Sequence, residues 1–505
     1  MIRHPERLLA GWLVLLLLAA PLPFGGVTPW AAALLRGFSL VALILAALAL
    51  DRPAVLRPAA PAAALAGMAL LGLLQCAPLP AGLAAALSPE HVQLRDQAAG
   101  LAGSPIPARL TLTATATAAA ALAWAAAAAA FVAAAVAGRR RELRRWLGGA
   151  VLAGALFQVF FGARDWFARA TTLWGVDLGA SATRLRGTFV NPNHLSVYLE
   201  MALPLAFAWG WWAARRSAEK GRLERRLLLV IPPFMLWLTL FAGLSFTSSR
   251  AGLLAALAGV TVQGLLIARN QGRWWAAPLG ALVALAGVVL AAWLGLRQGG
   301  LGRLLTTSVW DVSLGSRMRE YAAALELWGR FPVTGIGLGA FRDAFPLVQP
   351  ADVWGALWHP HSDLLEVLVT AGLAGAVILA AGLWALLRRL FAVLRDGGRS
   401  EDRAAALAAL GVLASVGLHA GLDFGLTMPA NSLTLAVLLG GVTAARVRSG
   451  SAQLDGARED PPAVPSADLE DVDARPQRRL RAQGRGVAGE RRPDRKSAQG
   501  SAVEP

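Results

Sequence analysis

Apolar runs of close to twenty residues alternate with short polar turns along most of this chain. A helix of about 20 apolar residues crosses the hydrocarbon core of a bilayer. About twelve runs reach that length, at 8–26, 29–50, 58–79, 112–137, 146–163, 194–213, 227–246, 250–268, 274–296, 365–387, 404–421 and 430–446. The fourth, TATATAAAALAWAAAAAAFVAAAVAG, is alanine-rich and weakly hydrophobic, which suits the inside of a bundle. The first, with Arg3 and Arg7 ahead of LLAGWLVLLLLAA, has the look of a signal peptide, but so many later spans favour an uncleaved anchor. The pattern therefore predicts an all-α, polytopic membrane bundle over 1–446.

Every second connection is short and basic: DRPAVLR, GRRRELRR, AARRSAEKGRLERR, ARNQGR and RRLFAVLRDGGRSEDR. Basic loops stay on the cytoplasmic side, so this alternation puts both termini in the cytoplasm and the remaining connections outside. Two outward segments, about 164–193 and about 297–364, are longer than turns. Within the second, SRMREYAAALELWGRF carries apolar residues at helical spacing and predicts an amphipathic helix on the membrane surface. From 447 to 505 the chain is rich in Pro, Gly and charged residues without periodicity, as expected of a disordered cytoplasmic tail.

Composition agrees. Apolar residues make up 56% of the chain, and there are eighteen Trp against two Tyr; Trp suits the membrane–water interface. The net charge of +17 would suggest nucleic acid in a soluble chain, but here the arginines sit between apolar runs and report topology, so membrane lipids and not nucleic acid are the expected surroundings. A single cysteine, Cys76, excludes an intrachain disulfide and a thiolate metal cage. Neither a P-loop nor a G-x-S-x-G elbow is present, which leaves ATP-driven pumping and serine hydrolysis without support. The glycines of GIGLGAF (335–341) lack dinucleotide-loop spacing and predict tight turns.

Polar side chains in so apolar a chain mark function, and they gather at the outward ends of the spans. Arg184, Arg186, Asn191, Asn193 and His194 open the sixth; Ser248, Ser249 and Arg250 open the eighth. Arg317 and Arg319 lie in the long outward segment, and His359, His361 and Asp363 open the tenth. His419, Asp423 and Asn431 flank the last turn. Guanidinium groups match phosphate oxygens bidentately, and Arg250 at a helix N-terminus adds free N–H groups that favour an anion. An anionic ligand at the bilayer surface is one reading; arginines snorkelling to the interface is the other. For ALWHPHSDLLEVLVTAGLAG (356–375), three readings stay open. His359, His361 and Asp363, with His194, are residue types that bind zinc or iron; the histidines could be exposed and idle; or one is a general base.

Four segments, RGTFVNPNHLSVYLEMALPL, SSRAGLLAAL, GSRMREYAAALELWGRFPVTGIGLGAF and HPHSDLLEVLVTAGLAG, taken in this order, resemble the bacterial O-antigen ligase and polymerase superfamily of integral-membrane glycosyltransferases. The resemblance covers about 186–375, and LDFGLTMPAN is similar to a later family element. Family ligases carry a histidine followed by Asn, Ser or Gln, then nine residues and a glycine. His361, Ser362 and Gly372 fit that spacing, whereas Gly375 stands where the pattern has threonine.

The resemblance implies a GT-C-like fold in the bacterial inner membrane with its active site facing the periplasm. It also implies a metal-independent, cofactor-free enzyme that uses an undecaprenyl-pyrophosphate-linked glycan as donor. His361 corresponds to the essential histidine, Arg250 and Arg317 to arginines that hold the pyrophosphate, joined by Arg186, and Asn193 to a further motif element. Asp363 either orients His361 or caps the tenth span; His359 and His194 stand beside them. The acceptor is a growing glycan, lipid A core or a protein hydroxyl. The rival class is a transporter or flippase of lipid-linked sugars or another anion, which should show polar residues at mid-membrane or broken helices with an internal repeat.

Overall fold

The computed structural model describes residues 4–50, 59–178, 183–218, 223–270, 312–353, 355–396 and 399–445. They form fifteen α-helices and one two-residue hairpin, β1 (Thr172–Leu173) with β2 (Val176–Asp177). The helices are α1 Pro5–Ala19, α2 Pro29–Leu48, α3 Ala59–Cys76, α4 Ala81–Leu87, α5 Pro89–Ala102, α6 Ala114–Ala137, α7 Arg141–Phe167 and α8 Pro192–Ala218. There follow α9 Leu223–Phe246, α10 Arg250–Asn270, α11 Val312–Arg330, the single turn α12 Phe341–Ala344, α13 Asp363–Asp396, α14 Ser400–Leu422 and α15 Pro429–Thr443. Eight are long and apolar enough to cross a membrane: α2, α3, α6, α7, α9, α10, α13 and α14. The described residues are thus almost entirely helical, and their apolar helices indicate an integral membrane protein. Of the expected spans, 274–296 lies outside the described residues, as do the tail 447–505 and part of the segment 297–364.

Where helix ends depart from expectation, local chemistry explains it. The first run stops at Ala19 and continues as turns through Phe24–Gly26, because Pro21 and Pro23 cannot extend a helix. The alanine-rich α6 packs against α1, α2, α3 and α15, with Ala130, Phe131, Ala133 and Ala134 fully or almost fully buried. Small side chains let neighbouring backbones approach, which is what holds helices together in lipid. The connection between α3 and α6 is partly helical as well, forming α4 and α5, which the hydropathy pattern did not predict.

The amphipathic helix forms as α11, but it does not present its apolar face as a surface anchor. Ala323, Ala324 and Leu327 instead pack with Phe331, Ile336, Phe341, Phe345 and Val369 into a core of their own. The reason lies in the segment after it. Residues 332–337 insert at a break in α13, where Gly372 adopts φ 64° and ψ −165°, a backbone region open essentially to glycine alone. Backbone bonds cross the break in both directions. Leu373 N–H donates to the Pro332 carbonyl (2.9 Å) and Ala374 N–H to Val333 (3.1 Å), while Ile336 N–H donates to Val369 (3.0 Å) and Gly337 N–H to Thr370 (3.1 Å). Gln75 of α3, fully buried, donates to the Thr334 and Thr370 carbonyls (2.8 and 3.0 Å) and accepts from Leu338 N–H (3.0 Å). Non-helical backbone in a spanning segment is tolerated where protein satisfies it, and here the chain's own loop and one glutamine do so. The glycines of GIGLGAF make tight turns, with Gly335, Gly337 and Gly339 all at positive φ, and they also bring that loop against α13.

Candidate functional site

Asp423, the residue that ends α14, is 2% exposed and collects donors from three separate parts of the chain. Asn193 Nδ2 of α8 donates to Oδ2 at 2.7 Å, Arg317 Nη2 of α11 donates to Oδ2 at 3.1 Å, and His361 Nδ1 lies 3.3 Å from Oδ1. The Phe424 N–H completes the set at 2.9 Å. Burial alone would raise this carboxyl, but the His361 hydrogen bond, the Arg317 charge and the Phe424 amide outweigh it and hold it well below the ordinary carboxylate range. Asp423 is therefore an anion that fixes His361 and Arg317 in one place.

His361 sits at φ 49°, in the left-handed region that a residue other than glycine occupies only when its surroundings hold it there. Tyr321 holds it: its hydroxyl donates to the His361 carbonyl at 2.8 Å. Arg317, Glu320 and Tyr321 lie at i, i+3 and i+4 of α11 and share one face of it. Arg317 also donates to the Leu422 carbonyl (3.1 Å), and Glu320 Oε2 lies 3.9 Å from His361 Nε2.

Phe424 forms the centre of a histidine cluster. The rings of His194, His359 and His361 lie 5.0, 4.7 and 5.2 Å from its centroid. His359 Nδ1 pairs with both oxygens of Glu366 (2.9 and 3.0 Å). Burial opposes protonation of His359, but the Glu366 hydrogen bond and charge prevail and raise its pKa. The proposed metal set is not assembled: His361 faces Asp423, His359 faces Glu366, and Asp363 faces backbone. Among the described residues no group of three His, Cys, Asp or Glu is placed to hold a metal ion.

Asp363 has neither of its two expected partners. Its Oδ2 accepts the Gly425 and Leu426 N–H groups at 3.0 and 3.1 Å, tying the start of α13 to the turn after α14. The cap of α13 is Ser362, whose Oγ accepts the Leu365 N–H (3.3 Å) and donates to the Ala420 carbonyl (3.0 Å). Arg186 is buried against the Ala170 and Thr172 carbonyls (3.3 and 3.5 Å) beside the hairpin. Its neighbour Arg184 reaches the cluster instead, donating to Asn193 Oδ1 at 2.6 Å and to the Thr247 carbonyl at 2.7 Å. Arg250 begins α10. Two residues on, a side-chain carbon at Gly252 would lie 2.7 Å from Ser196 of α8, so α10 starts close to the turn that carries Asn193. Arg319 pairs with Asp352 at 2.9 Å, away from the cluster.

Below Asp423, His419 Nδ1 bonds Glu200 Oε1 at 2.8 Å, both fully buried, and the His419 carbonyl accepts the Asp423 N–H at 2.8 Å. Asn431 donates to the His194 and Gly425 carbonyls, both at 3.0 Å. The turn bearing Asp423 and Phe424 is thus fastened to α8, α13 and α15. Asp423, Glu366, Glu320 and Tyr321 were not assigned roles from sequence. Asp423 had one legible signal, a carboxylate at the end of an apolar span, which needs a partner. The other three follow the spacing of ordinary polar helix faces.

The described residues thus place an imidazole and a guanidinium on one buried carboxylate at the end of a bundle of apolar helices. Residues 234–380 match the family model described as O-antigen ligase. The matched stretch includes Arg250, Arg317, His361 and Gly372. No curated protein matches the chain.

Proposed function

We propose that this protein transfers or polymerises glycan from an undecaprenyl-pyrophosphate carrier at the periplasmic face of the bacterial inner membrane, with both termini in the cytoplasm. The observation that carries the reading is Asp423, which holds His361 and Arg317 against one carboxylate. With Asp423 accepting the Nδ1–H, the Nε2 lone pair of neutral His361 is the base. The acceptor hydroxyl gives its proton to Nε2 as its oxygen bonds the anomeric carbon. The bond from that carbon to the pyrophosphate oxygen breaks, and its electron pair leaves with the pyrophosphate. Arg317 and Arg250 neutralise the charge that develops there; a guanidinium has five donors, so the two bonds that fix Arg317 leave others for phosphate. Departure of pyrophosphate drives the reaction, and the scheme calls for neither metal nor nucleotide. Arg186, buried beside the hairpin, has no place in this scheme; Arg184 takes the position next to Asn193.

The test is the lipid-linked glycan that accumulates when the gene is deleted from its host. Single repeat units on the carrier identify a polymerase, and long finished chains identify a ligase whose acceptor is the molecule that has lost its glycan. A glycan-producing host that accumulates neither contradicts the proposal and favours transport.

A further inference from the structure

Glu200 Oε2, Asp363 Oδ1 and Glu320 Oε2 are buried here without a hydrogen bond among the described residues, and of these Glu320 Oε2 is the one that faces His361 Nε2. Glu320 is 5% exposed, and its Oε1 accepts the Ser316 hydroxyl at 2.7 Å. A buried carboxylate oxygen left unpaired is unfavourable, so its retention calls for a partner that arrives at another stage. The nearest candidate is His361 Nε2, 3.9 Å away, too far for a hydrogen bond in this state. That nitrogen is the atom assigned above as the base, and it becomes an N–H donor only after it has taken a proton. Glu320 is held in position from both sides: Ser316 fixes the carboxyl group, and Tyr321, the next residue, is bonded to the His361 carbonyl.

We propose that Glu320 is a second positioning carboxylate for His361, used after proton abstraction. The inference rests on His361 acting as base. In the resting state Asp423 holds Nδ1–H and the Nε2 lone pair is open to the acceptor hydroxyl. Once the hydroxyl proton has moved to Nε2 and the acceptor oxygen has bonded to the anomeric carbon, the ring is an imidazolium with two N–H donors. A closure of about 1 Å, which brings the pair to ordinary hydrogen-bond length, lets Nε2–H donate to Glu320 Oε2. The imidazolium is then held between Asp423 and Glu320. The proton passes from Nε2 to water as product leaves, restoring neutral His361. No further reactant is needed: the pyrophosphate carries away the electron pair of the broken bond, and the acceptor proton ends in solvent.

The test compares full-length wild type, Glu320→Gln, Glu320→Asp and His361→Ala in mixed micelles. The donor is lipid-linked glycan extracted from the deletion host, and host membranes supply the acceptor. Glutamine keeps the size of the side chain and its bond to Ser316 but removes the charge. The expected result is that Glu320→Gln lowers kcat about tenfold with donor KM unchanged, that Glu320→Asp restores part of the loss, and that His361→Ala is inactive. Glu320→Gln with wild-type kcat, alongside inactive His361→Ala, overturns the role of Glu320 alone. A fall in kcat that aspartate fails to relieve, or a matching rise in KM, assigns Glu320 to packing and also overturns it. Full activity in His361→Ala removes the base assignment and this inference together.

Discussion

Gly372→Ala isolates the broken helix on which the site is mounted. At φ 64° and ψ −165° an alanine occupies a region that is unfavourable by about 1–3 kcal/mol. Its Cβ would also lie 2.6 Å from Gly335 N and closer still to the Val333 carbonyl, so residues 332–337 must withdraw. That withdrawal weakens backbone bonds from Ile336, Gly337, Leu373 and Ala374, each with a net contribution of about 1 kcal/mol. Together these give a destabilisation of roughly 3–5 kcal/mol, because not every bond is lost. In purified protein this corresponds to a fall in the thermal midpoint of roughly 5–10 °C, measured by intrinsic fluorescence or by loss of the monodisperse peak after heating. Gly417→Ala is the control: it lies within α14, and an added Cβ there meets nothing within 4 Å, so it should leave the midpoint unchanged or raise it slightly. A Gly372→Ala protein as stable as that control would refute the argument that glycine is required by the break.

Gln75→Leu removes three buried hydrogen bonds at the same break and should destabilise by roughly 2–4 kcal/mol, read in the same thermal assay. Asp423→Asn weakens the hold on both His361 and Arg317 and should lower transfer by about 100-fold or more, scored as carrier-linked glycan in a complemented deletion host. The His359 pKa is raised in the folded protein. Its pairing with Glu366 therefore contributes fully below the unfolded value near about 6.5, and the contribution fades as pH rises through the folded value. The stability difference between wild type and His359→Gln should be largest at mildly acidic pH and shrink toward alkaline pH; a constant difference would contradict the pairing.

Hydropathy located the spanning helices because burial in lipid demands apolar residues in long unbroken runs, and the spans that fall on described residues coincide with helices. It could not locate the break in α13. LLEVLVTAGLAGAVILAAGL reads as one continuous run, and the partners that replace its lost helical bonds come from 332–337 and Gln75, far away in sequence. His361 and Arg317 were legible as types, since an imidazole and a guanidinium in an apolar chain are conspicuous. Their shared anchor was not, because Asp423 lies 62 residues from His361 and about a hundred from Arg317. Asp363 drew attention by standing two residues from His361, yet its carboxylate is hydrogen-bonded to the Gly425 and Leu426 amides. The same limit explains Arg184 and Arg186: both precede the sixth span, and only the folded path of the chain decides which one faces Asn193.

The central claim is that His361, fixed by Asp423, is the base for glycan transfer. It is tested most directly by supplying the deletion host with His361→Ala and measuring both the lipid-linked glycan and the amount of variant protein in the membrane. The account predicts wild-type levels of inserted protein with glycan stranded on its carrier, as in the deletion. Normal clearance of the carrier by His361→Ala would contradict it.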